Sequence, residues 1–487
     1  MEIVDKDLAS IQEVRCLIAK AKEAQKQLAA MSQEQIDRIV KAIADEGFAE
    51  RERLAKMACT ETGFGRWEDK IIKNTFASKY VYESIKDLKT VGILKEDKEN
   101  KLLEIAVPVG VIAGLIPSTN PTSTAIYKAM ISIKAGNAII FSPHPNALNC
   151  ILETVKRISE AAKRAGCPDG AIACLTLPTL QGTNELMKHK DVNLILATGG
   201  TPMVKAAYSS GTPAIGVGPG NGPAFIERSA DIPLAVKRIL DSKTFDNGTI
   251  CASEQSVVTE ACIKDAVISE FKKQGAYFLT KEESDRLAAF IMRPNGSMNP
   301  QIVGKSVEQI AKLAKLDVPA GARVLIAEEN RVGHEFPYSR EKLAPILAFY
   351  TEENWEAACE RCIAILNNEG AGHTLIIHSQ NEEIIREFGL KKPVSRILVN
   401  TPGALGGIGA TTGLVPALTL GCGSVGGSST SDNIGPMNLL NIRRLVYGMK
   451  ELEDLKGDDA SQKANVDLSS KEDLVQYIVK LVMQEMK

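Results

Sequence analysis

The stretch that decides the fold is Gly110-Val-Ile-Ala-Gly-Leu-Ile116, which Pro117-Ser-Thr-Asn-Pro121 and the helical pattern of 124–133 follow. A short, unbroken apolar run indicates a β-strand that is buried on both faces, as in a parallel sheet. The unit of strand, loop and helix then recurs. We predict further strands at 138–141, 171–175 and 193–197, and helices at 147–165 and 182–188. Such alternation produces right-handed βαβ units, so the sequence predicts an α/β fold.

The alternation continues in the second half of the chain and predicts another α/β unit. The predicted elements there are helices at 231–241, 262–273, 281–291 and 306–316 and strands at 324–327 and 375–378. The first 85 or so residues have helical periodicity, with a capping box from Ser32 to Gln35. We expect these first helices to form an outer layer that takes no part in the chemistry.

Composition excludes several functions. A net charge of −2 over 487 residues does not favour binding to nucleic acid or to anionic membranes. No apolar run is as long as a membrane span, and the first residues do not form a secretory signal. The ten cysteines and five histidines lack metal-ligand spacing, so we predict no metal site. Cys359 and Cys362 are expected to be core thiols in a reducing cytosol.

One cysteine stands out in the stretch Thr244-Phe-Asp-Asn-Gly-Thr-Ile-Cys251-Ala-Ser-Glu-Gln-Ser256. Cys251 follows a short polar loop and precedes a predicted strand. A thiol on a tight turn can attack a carbonyl group, and nearby backbone N–H groups can hold the oxyanion that forms. The alternative is that Cys251 is a small buried apolar residue, as most isolated cysteines are.

The motif around Cys251 resembles the nucleophile motif of the aldehyde dehydrogenase superfamily, and within it the CoA-acylating branch. The resemblance extends to about Tyr447. It implies an aldehyde dehydrogenase-like α/β fold with two Rossmann-type three-layer α/β/α domains and a small oligomerisation hairpin. It also implies an NAD-dependent enzyme that uses CoA as cosubstrate, with acetaldehyde or propionaldehyde as the aldehyde.

The resemblance also assigns roles to three loops at strand ends. Cys251 and Asn120 are the catalytic residues, with Asn120 as an oxyanion donor; the alternative for Asn120 is a turn before Pro121. Ser142 stands where relatives place a lysine near the adenosine ribose, so that lysine's contact is not carried over. A Gly-Gly turn before a helix suits a phosphate, although many such turns bind nothing. The predicted cofactor-binding residues are Pro117, Ser142, Thr198, Gly199, Gly200, Thr201 and Glu341.

The stretch Ala214-Ile-Gly-Val-Gly-Pro-Gly-Asn-Gly-Pro223 departs from the hydrolytic relatives. Those enzymes carry a glutamate here that activates water, whereas Val217 is near that position in this chain. The stretch contains no acid. We therefore expect the acyl-cysteine to persist until the thiol of CoA attacks it. The alternative is that these glycines only guide the chain into the next domain.

Residues near the aldehyde or CoA are predicted from the same resemblance. They are Thr249, Ile250, His373, Thr411 and Ser424. For His373 we favour a structural hydrogen bond over a role as a base or as a contact for CoA. Glu341 would otherwise be an ordinary solvated acid near a helix end.

We predict an NAD-binding domain at 1–228, including the hairpin at 90–108, and a catalytic domain at 229–434. The resemblance implies that the chain returns to the oligomerisation region at 435–452 and that it forms a homodimer or homotetramer. A flexible linker at 453–469 precedes an amphipathic helix at 470–487, which resembles an encapsulation peptide. This helix predicts binding to shell or cargo proteins of a microcompartment in the bacterial cytoplasm. The alternative is that the helix folds back on the core.

Two other functions remain open at this stage. One is a non-acylating aldehyde dehydrogenase that releases a free acid, which the acid-free stretch 214–223 opposes. The other is a catalytically idle scaffold or cargo protein that keeps the fold, which the intact motifs around Cys251 and Asn120 oppose.

Overall fold

The computed structural model describes residues 4–293, 296–455 and 470–486. Contacts between residues divide the chain into two compact units. The first comprises Met1–Val91 and Val107–Asn441, and the second comprises Gly92–Ala106 and Ile442–Lys487.

The first unit begins with helices, as the periodicity predicts. Ser32 caps the second of them and exchanges hydrogen bonds with Gln35, which confirms the predicted capping box. A π-helical segment at Phe76–Tyr80 interrupts this region. The helices are α1 (Lys6–Ala29), α2 (Gln33–Ala49), α3 (Arg51–Thr62), α4 (Trp67–Thr75) and α5 (Val81–Ile85).

A five-stranded parallel sheet follows, in the order β5-β4-β3-β6-β7. The strands are β3 (Val111–Ile116), β4 (Ala138–Pro143), β5 (Ile172–Cys174), β6 (Leu194–Thr198) and β7 (Ala214–Val217). The connecting helices are α6 (Pro121–Lys134), α7 (Leu148–Arg164), α8 (Leu180–Lys188) and α9 (Thr201–Tyr208). Sequence order reverses direction at β3, between its neighbours β4 and β6, and ligands of such sheets bind at the carboxyl ends beside this reversal.

A seven-stranded parallel sheet has the order β10-β11-β12-β9-β8-β13-β14. Its strands are β8 (Gly222–Ile226), β9 (Glu254–Glu260), β10 (Ala276–Phe278), β11 (Val324–Glu328), β12 (Ile346–Glu352), β13 (Gly372–His378) and β14 (Val394–Val399). Its helices are α10 (Ile232–Thr244), α11 (Lys264–Lys273), α12 (Lys281–Ile291), α13 (Val307–Ala314), α14 (Trp355–Asn368), α15 (Glu382–Lys391) and α16 (Gly403–Gly407).

Side chains that alternate along these strands enter two different cores. Phe225 and Val258 belong to one apolar cluster, whereas Ala224 and Val257 belong to another. Because successive side chains of a strand point to opposite faces, both faces of this sheet are covered. The chain passes from the five-stranded sheet to the seven-stranded sheet between Val217 and Gly222. The sequence analysis proposes a domain boundary a few residues later, at 228.

The second unit contains a three-stranded sheet in the order β1-β2-β15. Strands β1 (Gly92–Asp97) and β2 (Leu102–Pro108) pair antiparallel, and β15 (Leu440–Val446) completes the sheet. β1 and β2 thus form a hairpin within 90–108, and β15 is the neighbour of β2 in the sheet. Ser470 caps helix α17 (Lys471–Glu485), as predicted. Within the predicted linker, Glu453–Leu455 forms a 3₁₀ turn, and 456–469 lie outside the described residues.

The remaining short elements are 3₁₀ turns at Pro145–Ala147, Phe245–Gly248, Ala261–Ile263, Pro337–Ser339, Ser424–Gly426 and Pro436–Leu439. Among the described residues, no helix has both the length and the apolar composition that crossing a membrane requires.

Candidate active site

Loops at the carboxyl ends of β3, β4 and β6 border a single cavity of about 410 Å³. The cavity also reaches Cys251 and Glu341, so it joins the predicted nucleophile to the predicted cofactor loops. Its size lies in the usual range for small-molecule sites. The lining residues that the sequence analysis singled out are Pro117, Asn120, Ser142, Thr198, Gly199, Gly200, Val217, Thr249, Cys251 and Glu341.

The loop before Cys251 has an unusual backbone. Asp246, Asn247 and Gly248 have φ angles of 49°, 52° and 76°, so three successive residues lie in the left-handed region. Aspartate, asparagine and glycine are the residue types that enter this region most readily. Asn247 Nδ2 also donates to Gly304 O at 2.9 Å. The sequence Asp-Asn-Gly thus sets the turn that presents Cys251.

The thiol of Cys251 has His373 as its partner. The His373 Nε2 atom lies 3.2 Å from Cys251 Sγ, and His373 Nδ1 lies 2.9 Å from Thr374 Oγ1. Burial, helped by the charge of Glu341, raises the pKa of Cys251 to about 12. Burial and the charge of Arg396 lower the pKa of His373 to about 3. The resting pair is therefore a neutral thiol beside a neutral imidazole, which can accept the thiol proton.

The sequence analysis favoured a structural hydrogen bond for His373, and its imidazole contacts both Thr374 Oγ1 and the thiol of Cys251. His373 and Cys251 are far apart in the sequence, so only the fold brings them together. His373 is the second residue of β13, and Cys251 lies three residues before the start of β9.

The amide of Asn120 lies beside the same loop. Asn120 Nδ2 donates to Thr249 O and to Thr119 Oγ1, each at 3.3 Å, and Asn120 Oδ1 accepts from Lys73 Nζ at 2.5 Å. Both Nδ2 contacts are long for N–H···O hydrogen bonds. The NH₂ group is thus held near the backbone that leads to Cys251, on the wall of the cavity.

The carboxyl group of Glu341 contacts the backbone of the stretch 214–223, which contains no acidic residue. Glu341 Oε1 accepts from Gly220 N at 2.9 Å, and Glu341 N donates to Glu369 Oε2 at 2.8 Å. Burial, with the nearby charge of Glu369, raises the pKa of Glu341 to about 8. The carboxyl group is therefore mostly protonated at neutral pH.

Packing within the chain accounts for the residue types of some of the predicted cofactor loops but not of others. A Cβ atom built on Gly199 or Gly200 would meet no atom closer than 3.7 Å, so packing within the chain does not require glycine there. Thr201 is the first residue of α9, directly after this open backbone. Ser142 Oγ lies 2.8 Å from Thr183 Oγ1, and both residues line the cavity.

The residues predicted near the aldehyde or CoA are spread around the site. Ile250 is buried, and Thr249 Oγ1 donates to Asp246 Oδ2 at 2.7 Å. Thr411 is exposed and lies 2.6 Å from Thr401 between hydroxyl oxygens, and Ser424 is exposed at the start of a 3₁₀ turn. Of these, Thr249 lines the cavity and His373 contacts Cys251.

The sequence analysis missed two lysines of α4. Lys73 Nζ contacts Asn120, Asp246 and Thr249, and Lys70 Nζ contacts Asp246 and the backbone of Thr119. Both side chains are buried, although lysine on a helix normally indicates a solvated face. The first helices, in which the sequence shows no evident chemistry, thus place two buried side chains against residues of the predicted site.

The sequence matches the aldehyde dehydrogenase family over residues 2–407. The chain belongs to the aldehyde dehydrogenase family. This aldehyde dehydrogenase is 46% identical over 444 residues to the bifunctional aldehyde-alcohol dehydrogenase of Escherichia coli K12, a match that covers 90% of the chain and 50% of that protein. The chain thus spans about half the length of such bifunctional relatives. It is 41% identical to the acetylating succinate-semialdehyde dehydrogenase of Clostridium kluyveri, covering 90% of the chain and 96% of the relative.

Solved structures share the fold of this aldehyde dehydrogenase over nearly all of its length. A probable aldehyde dehydrogenase from Listeria monocytogenes is 75% identical, with a TM-score of 0.92 over 93% of this chain and 100% of that one. An acetylating aldehyde dehydrogenase from Geobacillus thermoglucosidasius is 53% identical, with a TM-score of 0.91 over 92% and 99%. A propionaldehyde dehydrogenase from a Clostridium phytofermentans microcompartment is 29% identical, with a TM-score of 0.81 over 90% and 98%.

Proposed function

We propose that this chain is an NAD-dependent, CoA-acylating aldehyde dehydrogenase that oxidises a short aldehyde to an acyl-CoA. The observation that carries the proposal is the single cavity that Cys251, Asn120 and the Thr198–Gly200 loop line together. Relatives that are named acetylating enzymes, at 41% and 53% identity, support the acylating reaction.

The first step joins Cys251 to the aldehyde. His373 Nε2 takes the thiol proton while Sγ forms a bond to the carbonyl carbon, and the carbonyl oxygen becomes an oxyanion. Asn120 Nδ2 and the N–H of Cys251 are the donors for that oxyanion. Hydrogen bonds fixed in place before the charge develops stabilise it strongly, because they need no reorganisation.

The residues of the nucleotide loops fit a nicotinamide dinucleotide. Open glycine backbone at Gly199 and Gly200, followed by the N-terminus of α9, suits a pyrophosphate. When bound, NAD supplies the acceptor for the hydride that leaves the carbonyl carbon. Pro117 and Ser142 lie on the same cavity wall. We assign these residues, with Thr198 and Thr201, to cofactor binding.

The second step transfers the acyl group from Cys251 to CoA. The CoA sulfur forms a bond to the acyl carbon, the bond to Cys251 Sγ breaks, and Cys251 recovers a proton. Between the two steps His373 releases the first thiol proton to solvent, which is the proton that the overall oxidation sets free. Its Nε2 atom, which faces the sulfur, is then positioned to receive the CoA proton and to return it to Sγ. We place Thr249, Ile250, Thr411 and Ser424 around the aldehyde and the CoA thiol.

Hydrolysis is the competing outcome, and the state of Glu341 opposes it. The stretch 214–223 contains no acid, and Glu341 is the carboxyl group that reaches it. A pKa of about 8 leaves Glu341 mostly protonated at neutral pH, and its Oε1 atom already accepts from Gly220 N. From the acid-free stretch and this engaged carboxyl group we infer that the acyl-cysteine persists until CoA arrives.

The test is NADH formation from propionaldehyde and from acetaldehyde, with and without CoA, with the product identified by mass. We expect CoA-dependent turnover to the acyl-CoA that Cys251→Ala abolishes. Cys262→Ala is the matched control, because Cys262 is an exposed thiol outside the cavity. Release of the free acid without CoA would refute acylation, and no turnover with any aldehyde would favour an idle scaffold.

We also propose that the chain assembles as a homodimer or homotetramer through 90–108 and 435–452, with separate domains at 1–228 and 229–434. We propose further that it resides in a microcompartment of the bacterial cytoplasm. Leu474, Ile478, Leu481 and Val482 form an apolar stripe on α17, each between 41% and 52% exposed. One structural relative comes from a microcompartment. The apolar stripe fits a shell or cargo protein.

Coexpression with microcompartment shell proteins tests this location. We expect the full chain to copurify with shells, and Ile478→Glu to abolish copurification without changing NADH formation. The control is Gln476→Glu, which adds the same negative charge to the helix at a position outside the stripe. Equal copurification of Ile478→Glu and the unchanged chain would refute a role for the stripe.

A further inference from the structure

The buried ammonium group of Lys73 is in direct contact with the oxyanion donor. Lys73 is 3% exposed, and its Nζ donates to Asn120 Oδ1 at 2.5 Å, to Thr249 Oγ1 at 2.9 Å and to a carboxylate oxygen of Asp246. All three hydrogens of the ammonium group therefore have acceptors.

These contacts decide which way the amide of Asn120 points. An ammonium group can only donate, so the atom that faces Lys73 must be the carbonyl oxygen of Asn120. The NH₂ group must then point to the opposite side, toward Thr249 O and the cavity. Without Lys73 the orientation of the amide would depend on the two long Nδ2 contacts alone, and a half-turn would place its oxygen, which repels an oxyanion, toward the substrate.

The second lysine of the helix holds the same carboxylate but does not touch the amide. Lys70 Nζ donates to Asp246 Oδ2 at 2.9 Å and to Thr119 O at 3.1 Å. A second acidic side chain, Asp69, lies beside this group and accepts from Asp246 N at 2.9 Å. Burial lowers the pKa of Lys73 to about 8, while the charge of Asp246 opposes this shift, so Lys73 is mostly charged at neutral pH.

We propose that Lys73 is a positioning residue that fixes the amide of Asn120 so that its NH₂ group faces the reacting carbonyl oxygen. The proposal rests on the function proposed above. Lys73 acts through the amide of Asn120, whereas Lys70 holds Asp246 and the backbone oxygen of Thr119 without contacting that amide. The two lysines lie on one helix and share one carboxylate, so they form a matched pair.

The experiment compares Lys73→Met with Lys70→Met. Each replaces a buried lysine by an unbranched apolar chain and removes one ion pair to Asp246. We expect Lys73→Met to lower kcat for CoA-dependent NADH formation by roughly 10- to 100-fold with a small change in KM, by analogy with the loss of one oxyanion donor. Lys70→Met is expected to lower kcat by less than about 5-fold, since it leaves the Asn120 amide held. Lys73→Gln, which keeps a donor, should fall between the two and replaces Lys73→Met if that variant does not fold.

A double-mutant cycle separates positioning from a structural role. If Lys73 acts through Asn120, Lys73→Met should cost less than about 3-fold when added to Asn120→Ala, because coupled residues are not additive. An undiminished effect in the Asn120→Ala background would overturn the proposal, as would equal losses in Lys73→Met and Lys70→Met.

A second assay keeps this result distinct from a failure of the proposed function. Acylation of Cys251 by p-nitrophenyl acetate passes through an oxyanion, releases p-nitrophenolate, and needs neither NAD nor CoA. The first turnover appears as a rapid burst of p-nitrophenolate, and we expect Lys73→Met to lower the rate of this burst by the same factor as it lowers kcat. Absence of CoA-dependent turnover would refute the proposed function alone, whereas a burst that is unchanged in Lys73→Met would overturn the role of Lys73.

Discussion

Removal of the His373 imidazole should expose how little thiolate Cys251 forms without a base. Burial and Glu341 raise the pKa of Cys251 to about 12, so at pH 8 roughly one thiol in 10⁴ would be ionised. His373 Nε2 lies 3.2 Å from Sγ and is neutral, because burial lowers its pKa to about 3. A positioned base contributes about 10²- to 10⁴-fold when its pKa lies near the operating pH, so the lowered pKa of His373 places its contribution at the low end of that range.

We therefore expect His373→Ala to slow the alkylation of Cys251 by iodoacetamide, and its acylation, by about 10²-fold or more at pH 7.5. In His373→Ala only the thiolate of Cys251 reacts, so the alkylation rate should rise about tenfold for each pH unit up to pH 10. The difference in alkylation rate between the variant and the unchanged chain should therefore become smaller as the pH rises. The rate is measured by mass spectrometry of the peptide that contains Cys251.

His378→Ala is the matched control for this prediction. His378 is a buried histidine on the same strand, its pKa is also lowered to about 3 by burial, and no described residue is a hydrogen-bond partner of its ring nitrogens. We expect iodoacetamide to alkylate Cys251 of His378→Ala at the same rate as Cys251 of the unchanged chain. Equal rates for all three proteins at pH 7.5 would show that His373 does not activate the thiol.

Three further predictions concern the same site. Gly220→Ala would place a Cβ atom 2.0 Å from Cys251 O, so the chain must shift to make room for it. We expect this overpacking to lower the free energy of unfolding in urea by about 1–3 kcal/mol. An unchanged midpoint of the urea transition would contradict this prediction. Asn247→Ala should unfold more easily than Asn247→Gly by about 1 kcal/mol, since both lose the bond to Gly304 but only alanine is strained at a φ of 52°. Glu341 has a raised pKa of about 8, so the folded state binds its proton more tightly and stability should fall between about pH 5 and pH 8; Glu341→Gln should flatten that slope in thermal melts.

The sequence predicted the features that local patterns encode. Unbroken apolar runs gave the parallel strands, because strands buried on both faces carry apolar residues at every position. The loops at Asn120 and Gly200 were assigned to the ends of predicted strands, and the carboxyl ends of parallel strands lie at one edge of a sheet, where ligands bind. The structure brings both loops to one cavity with Cys251.

Contacts that join distant segments were not predictable in the same way. Lys70 and Lys73 have the spacing of a solvated helix face, and nothing nearby in the sequence shows that a carboxylate from the Cys251 loop is buried against them. The stretch 214–223 contains no acid, but Glu341 reaches its backbone from more than a hundred residues away. In each case a charge is buried because its partner arrives from another element.

The left-handed turn before Cys251 shows why the first helices matter for the chemistry. Besides its two lysine partners, Asp246 accepts from Arg66 N at 2.7 Å, and its own N–H donates to Asp69 Oδ2 at 2.9 Å. Consecutive left-handed residues are costly and persist where surrounding contacts fix them. Because α4 and the residue before it supply these contacts, the helix holds the nucleophile loop and the oxyanion amide with one set of side chains. A rotation of α4 would disturb both at once, so the helix couples the position of Cys251 to that of Asn120.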